Sequence, residues 1–216
     1  MMKIKCIIFD FDGVILDSNR VKKQAYFDLF PDTKEVKDIV SAVWDENGRL
    51  SRVKVIQYMV EALQEHKLLG SVNLQDYIVK YGDLTQSKVA KSGQVPGAFA
   101  ALKELSEFSL FVNTSTPDIL INEIMDTLDI QKYFTEVFGS TTGTKAANIR
   151  IIMSKYSFEK DEVVHIGDGD LDLRAAKETG IHFIGVVHGD NNFATNNNIM
   201  HKVNDLENLG EVIGSI

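Results

Sequence analysis

The sequence predicts an α/β protein: an open parallel sheet flanked by helices, with a smaller all-helical unit inserted after the first strand. Three observations predict it. Short continuous apolar runs at 4–9, 110–112, 136–138, 163–166 and 183–187 are the pattern of strands buried on both faces. From residue 92 onward these runs alternate with helical stretches, as crossover helices between parallel strands require. Between them, residues 18–90 carry apolar residues at helical spacing and no strand-like run.

The first strand is expected over 3–9, ending at Asp10-Phe11-Asp12-Gly13. In the helical stretch, Val21, Ala25 and Leu29, then Val53, Ile56, Met59, Val60 and Leu63, fall on helix faces. Asp32 or Thr33, Ser51 and Asn73 are suited to start helices. A punctuated connection at 92–97 returns the chain to the alternating pattern. A helix at 98–107 and a strand at 110–112 follow, and Pro117 opens a helix running to Leu128. The next strand is 136–138. A helix at 145–156 and a strand at 163–166 come after it. A helix at 171–177 stops at Gly180. The strand at 183–187, a polar loop at 191–198 and a last helix from Asp205 complete the chain. The domain boundaries that follow are 1–16 with 92–216 for the core and 17–91 for the insert.

A chain of 216 residues accommodates one core domain and one smaller inserted domain. Its 44% hydrophobic and 25% charged residues are those of a soluble globular protein. The formal net charge of −8 argues against nucleic acid or an anionic membrane surface as a partner and suits a site of clustered carboxylates that takes a cation. The single cysteine, Cys6, excludes an intramolecular disulfide and reads as a small core residue of the first strand. The first apolar run is too short for a signal-peptide core, and no stretch has the length of a membrane span, so a cytoplasmic protein is expected.

Ligands of an open parallel sheet gather at the carboxyl ends of its strands, so those ends are where chemistry is sought. The first strand ends in Asp10 and Asp12, which point the same way along an extended chain and repel unless a cation or proton joins them. The second ends in Asn113-Thr114-Ser115-Thr116, the third leads into Gly139-Ser140-Thr141-Thr142-Gly143-Thr144-Lys145, and the fourth ends in Gly167-Asp168-Gly169-Asp170-Leu171-Asp172. Hard carboxylate oxygens with little imidazole or thiolate suit Mg²⁺, and hydroxyls with a lysine suit a phosphate. Residues 139–145 are not a P-loop: the glycines are too close, and Ala146 stands where the metal-binding hydroxyl belongs. Nor is 168–179 an EF-hand loop, since Leu173 replaces its glycine and Thr179 its glutamate.

Residues 9–18, Val112-Asn113-Thr114, Lys145 and 167–172 together resemble the four ordered motifs of the haloacid dehalogenase superfamily of aspartate-nucleophile phosphohydrolases. The likeness spans nearly the whole chain. The helical insert is similar to the cap domain of the β-phosphoglucomutase and phosphoglycolate phosphatase branch. One departure is Ala146-Ala147-Asn148, where that branch carries Pro-x-Pro-Asp after the lysine. The resemblance implies a Rossmann-like core with a cap, and a Mg²⁺-dependent phosphatase acting on a small phosphorylated metabolite, a sugar phosphate or a phosphoglycolate-like monoester. It implies Asp10 as nucleophile and Asp12 as general acid and base. Asp10, Asp12 (through its carbonyl) and Asp168 would hold Mg²⁺, and Thr114 and Lys145 would bind the phosphoryl group. Asp172 is either an outer metal partner or the group that orients Lys145. Arg52, in the cap segment 48–52, is either a substrate contact or a solvated arginine. The alternatives on the same fold are a phosphomutase and a non-catalytic binding protein. His165 and Trp44 read as packing residues, Asp170 as a helix-start acid, and Asp17 and Ser18 as turn and cap residues.

Overall fold

The computed structural model describes residues 4–48, 50–189, 191 and 193–216. Lys3, Arg49 and Asn192, which the expected first strand, cap segment and polar loop include, lie outside the described residues. The chain divides by its internal contacts into Met1–Asp17 with Ser92–Ile216, and Ser18–Lys91.

In the first unit, β1 (Cys6–Phe9) is followed, after the insert, by α5 (Ala98–Glu104), β2 (Ser109–Asn113) and α6 (Asp118–Thr127). Next come β3 (Glu136–Phe138), α7 (Lys145–Tyr156), β4 (Val163–Gly167) and α8 (Asp170–Thr179). The unit ends with β5 (His182–Val186), β6 (His201–Val203) and α9 (Leu209–Gly214). The strands form one sheet in the order β3-β2-β1-β4-β5-β6, and every pairing is parallel. The order reverses direction at β1, between β2 and β4, so Asp10 emerges at the switch point where such sheets bind ligands. Every residue of β1 is fully buried, as the apolar run requires of a central strand. On one face Cys6, Ile8, Phe111 and Val163 pack with Ile149 and Ile152 of α7 and Ala175 and Ala176 of α8. Each large aliphatic group so buried contributes about 1.5–3 kcal/mol, which fixes these helices and therefore the side chains at their starts.

β6 has no counterpart in the sequence reading. His201-Lys202-Val203 is only partly buried and lacks an apolar run, yet it pairs in register with β5 and its Val203 carbonyl accepts from the Val187 N–H at 2.8 Å. An edge strand buries one side only, so polar residues suffice. The last helix starts at Leu209 rather than at Asp205. Asp205 accepts the Glu207 N–H at 3.0 Å, and the Leu206 N–H is spent on Pro96 O at 2.9 Å, so this stretch is a tied turn.

The second unit is α1 (Asn19–Asp28), α2 (Lys34–Asn47), α3 (Arg52–Glu65) and α4 (Leu74–Val89), with no strand among its described residues. Thr33 and Asn73 cap α2 and α4, accepting the N–H groups of Val36 (3.4 Å) and Gln75 (3.1 Å). Ala25, Leu29, Val40, Val55, Ile56, Met59, Leu63 and Tyr81 form its core, and Trp44 packs on Tyr26 with ring centroids 5.1 Å apart. Among the described residues no helix is long and apolar enough to cross a membrane.

Candidate active site

Where β1 ends, the chain turns back on itself. Gly13, at φ +75°, allows a tight reversal in which its N–H donates to Leu16 O at 2.7 Å and the Ile15 N–H to Phe11 O at 2.9 Å. Phe11, Val14, Ile15 and Leu16 are buried and anchor the reversal. Asp10 is thereby held rigidly: its own N–H donates to Ile166 O (2.8 Å), and its Oδ1 accepts the Phe11 N–H (2.7 Å). Its carboxyl is buried. Burial foremost, then the Asp172 carboxylate, push its pKa up to about 6 against the pull of Lys145.

Lys145 is the first residue of α7, behind Thr144, whose hydroxyl caps the helix by accepting the Ala147 N–H at 3.2 Å. Its Nζ lies 2.9 Å from Asp10 Oδ2 and 2.5 Å from Asp172 Oδ1, and all three side chains are buried. Burial alone would lower the Lys145 pKa, but the carboxylates of Asp10 and Asp172 more than offset this and raise it. For Asp172, burial raises and Lys145 and His165 lower, with a net value of about 2. Asp172 is the third residue of α8. Its Oδ2 reaches back to the Gly169 N–H (3.2 Å), and its Oδ1 also lies 2.8 Å from His165 Nε2. Asp172 thus contacts Lys145 and also lies among the carboxylates that could hold a metal ion.

The main-chain end of Lys145 is pinned as well. Asn113 Nδ2 donates to Lys145 O (3.0 Å), and Asn148 Nδ2 donates to Asn113 Oδ1 (3.1 Å) and Gly139 O (3.3 Å), with both amides fully buried. Asn148 belongs to the stretch that departs from the Pro-x-Pro-Asp pattern, and its amide bonds hold the α7 start to the end of β2. The loop before it is organised by Asp118. This carboxylate accepts the N–H groups of Gly139 (2.8 Å), Thr141 (2.9 Å) and Thr142 (3.1 Å) and the hydroxyls of both threonines.

Thr114 ends β2. Its N–H donates to Phe138 O at 2.9 Å, and its buried hydroxyl accepts the Thr116 N–H at 3.2 Å. The Thr116 hydroxyl in turn donates to Asp12 Oδ2 at 3.2 Å. Asp168 follows β4, with its Oδ2 3.8 Å from His188 Nε2, and that ring nitrogen also meets Gly13 O. Asp170 opens α8 behind Gly169. Asp10, Asp168 and Asp172 each offer one carboxylate oxygen, all within 4.8 Å of one another. Hard oxygens at that spacing fit a small divalent cation. Both oxygens of Asp10 (Phe11 N–H and Lys145) and both of Asp172 (Lys145 and His165; Gly169 N–H) also have partners within the protein.

Asp10, Lys145, Asp168 and Asp172 thus converge, with Asp12 tied to the β2 end through Thr116. Arg52 lies in the helical unit, opening α3 with its guanidinium 4.9 Å from the centroid of the Tyr81 ring. Sequence reasoning missed Thr116, His188 and the contacts of His165, Asn113 and Asn148. His188 would have emerged had the survey of strand ends continued to β5, and Thr116 from its alternation with Thr114.

Gly167 permits this packing, since a Cβ there would sit 2.3 Å from Asp172 Cβ. Gly167→Ala is expected to cost about 1–3 kcal/mol by overpacking and to displace Asp172 from Lys145. Chemical denaturation measures the first effect and the turnover of a phosphate ester the second.

Residues 7–186 match the family model described as haloacid dehalogenase-like hydrolase. The chain is 27% identical over 206 residues to a phosphoglycolate phosphatase of Vibrio parahaemolyticus, covering 87% of this chain and 86% of that protein. It is 26% identical over 200 residues to a phosphorylated carbohydrates phosphatase of Thermotoga maritima, covering 87% and 88%. The fold is similar to the crystal structure of a predicted phosphoglycolate phosphatase from Haemophilus somnus. There the TM-score is 0.79 at 18% identity, over 98% of this chain and 99% of that one.

Proposed function

The chain belongs to the haloacid dehalogenase-like hydrolase family, and we propose that it hydrolyses a small phosphorylated metabolite, a sugar phosphate or a phosphoglycolate-like monoester, through an aspartyl-phosphate on Asp10. The observation that carries this reading is the buried Lys145 ammonium between Asp10 and Asp172, with Asp168 beside them. Asp10 is the nucleophile. At neutral pH, above its value of about 6, it is a carboxylate able to attack phosphorus. The Asp10 ester forms as the bond from phosphorus to the leaving oxygen breaks, and Asp12 delivers a proton to that oxygen. Asp12, now a carboxylate, takes a proton from the water that attacks the aspartyl-phosphate, releasing phosphate and restoring Asp10. The hydrogen bond from Thr116 to Asp12 Oδ2 supports this assignment, because it holds the carboxyl of the proton-transfer residue at the end of β2.

Lys145 neutralises charge that builds on the phosphoryl oxygens, and the Thr114 hydroxyl binds one of them. Mg²⁺ is the cation proposed for Asp10, Asp168 and the Asp12 carbonyl. It would supply the charge compensation that lets a carboxylate approach a phosphate dianion. Calorimetric titration of Mg²⁺ into Asp168→Asn is expected to show affinity at least ~10-fold weaker than in the parent protein. Equal affinities would remove Asp168 from the metal.

The substrate assignment rests on the likeness to the two named phosphatases and is tested by a panel of phosphorylated carboxylic acids and sugar phosphates assayed with Mg²⁺. Free phosphate and phosphate-migrated isomers are scored separately. Phosphate release from one of these classes is the expected result. Migration without release would replace hydrolysis by isomerisation, and inertness of every compound would overturn the reading.

A further inference from the structure

Two carboxamides meet behind Lys145. Asn113 Nδ2 donates to Lys145 O at 3.0 Å, and Asn148 Nδ2 donates to Asn113 Oδ1 at 3.1 Å and to Gly139 O at 3.3 Å. Both side chains are fully buried. Two main-chain carbonyls fix which way each amide points. Turning the Asn113 amide over would set its oxygen against Lys145 O, and turning the Asn148 amide over would set its oxygen against Gly139 O. The donations therefore run one way, from Asn148 through Asn113 to the carbonyl of Lys145.

The segments so joined carry the residues assigned to the phosphoryl group. Asn113 ends β2, and Thr114 is the next residue. Gly139 follows β3 directly. Asn148 stands about one turn beyond Lys145 on α7, with its N–H donating to Thr144 O at 2.9 Å. The ammonium end of Lys145 is held by Asp10 and Asp172, and the carbonyl contact fixes the other end of the same residue. Asn148 Oδ1 is buried with no hydrogen-bond partner among the described residues, and it lies against Gly143, where a Cβ would come within 3.0 Å of it. An apolar side chain would fill that space without an unpaired acceptor, so packing does not account for the amide; its two donations do.

We propose that Asn113 and Asn148 are positioning residues: together they clamp the start of α7 to the ends of β2 and β3 and so set the spacing between Thr114 and Lys145. The consequence for turnover rests on the phosphatase reading above; the clamp itself does not.

The test uses the full chain with ¹⁵N-labelled asparagine. In deuterated water the carboxamide protons of Asn113 and Asn148, identified by their loss in Asn113→Ala and Asn148→Ala, are expected to exchange at least ~100-fold more slowly than those of exposed asparagines. Exchange of either at the exposed rate in the parent protein overturns the proposal. With Mg²⁺ and p-nitrophenyl phosphate, each Ala variant is expected to lower kcat about 10–100-fold with KM within about threefold, because a small displacement of a binding group is felt in the rate. A lower denaturation midpoint with kcat unchanged would make the pair merely structural and overturn it. The double variant is expected to lie within about threefold of the worse single variant, since either cut opens the same clamp. Losses that multiply would overturn it as well. If one Ala variant does not fold, the other cuts the same relay and decides together with the parent's amide exchange. If the parent protein turns over no phosphate ester, the phosphatase reading falls, and the amide exchange still judges the clamp.

Discussion

Replacing Asp10 by Asn is expected to abolish Mg²⁺-dependent phosphate release, by ~10³-fold or more, while making the metal-free protein more stable at pH 7. The two effects share one cause. The Asp10 carboxyl titrates at about 6 in the folded chain against 3.8 ordinarily, chiefly through burial and the nearby Asp172 charge. The folded state therefore holds this proton more tightly than the unfolded state does. Its contribution to stability is fully present below about pH 4 and is lost as pH rises through about 6. At neutral pH the folded protein carries an unfavourable carboxylate worth up to ~3 kcal/mol. Asparagine mimics the protonated acid, so the variant is expected to escape the loss between pH 4 and 6 that the parent shows. Urea denaturation of both proteins at pH 4.5 and 7, without metal, checks the sign. Retained Mg²⁺-dependent turnover in the variant would remove Asp10 as nucleophile. Added Mg²⁺ is expected to stabilise the parent more than the variant, because the cation compensates the same charge.

Lys145→Met is expected to be the most damaging single substitution, costing about 3–5 kcal/mol. It keeps an unbranched chain of similar length and removes the ammonium, leaving Asp10 and Asp172 buried on either side of a thioether. Turnover is expected to fall to background, since the positive charge facing Asp10 is gone. The double variant Lys145→Met/Asp172→Asn is expected to recover much of the stability and none of the turnover. That split separates the lysine's neutralisation of buried acids from the phosphoryl-binding role proposed for it. Denaturation midpoints and phosphate release on the three proteins decide it, and equal stability of Lys145→Met and parent would contradict the buried ion-pair geometry.

The central strands could be read from the sequence because a strand buried on both faces must be continuously apolar, as Cys6–Phe9 and Val163–Ile166 are. The helix expected at 145–156 coincides with α7, whose start the structure shows capped by Thr144. β6 could not be read, because an edge strand of His-Lys-Val needs no apolar run. Within the site, Asp10, Asp12, Thr114, Lys145, Asp168 and Asp172 stood out because polar residues at strand ends mark the ligand face. His165 did not. A histidine inside an apolar strand is a packing residue until its neighbours are known, and its neighbours are 157 and 7 residues away in sequence. The Asn113–Asn148 pair was hidden for the same reason: each amide looks unremarkable alone, and only folding brings them 3.1 Å apart.

The Asp118 carboxylate bears on how this protein tells an external anion from its own. The N–H groups of Gly139, Thr141 and Thr142 and two threonine hydroxyls converge as they would around a phosphate oxygen, but they converge on a tethered side chain. A tethered competitor acts at an effective concentration of millimolar or more, so free phosphate esters are outcompeted at this loop. The loop thus behaves as a self-quenched anion receptor. The N–H groups and hydroxyls of this loop are thereby satisfied from within the fold.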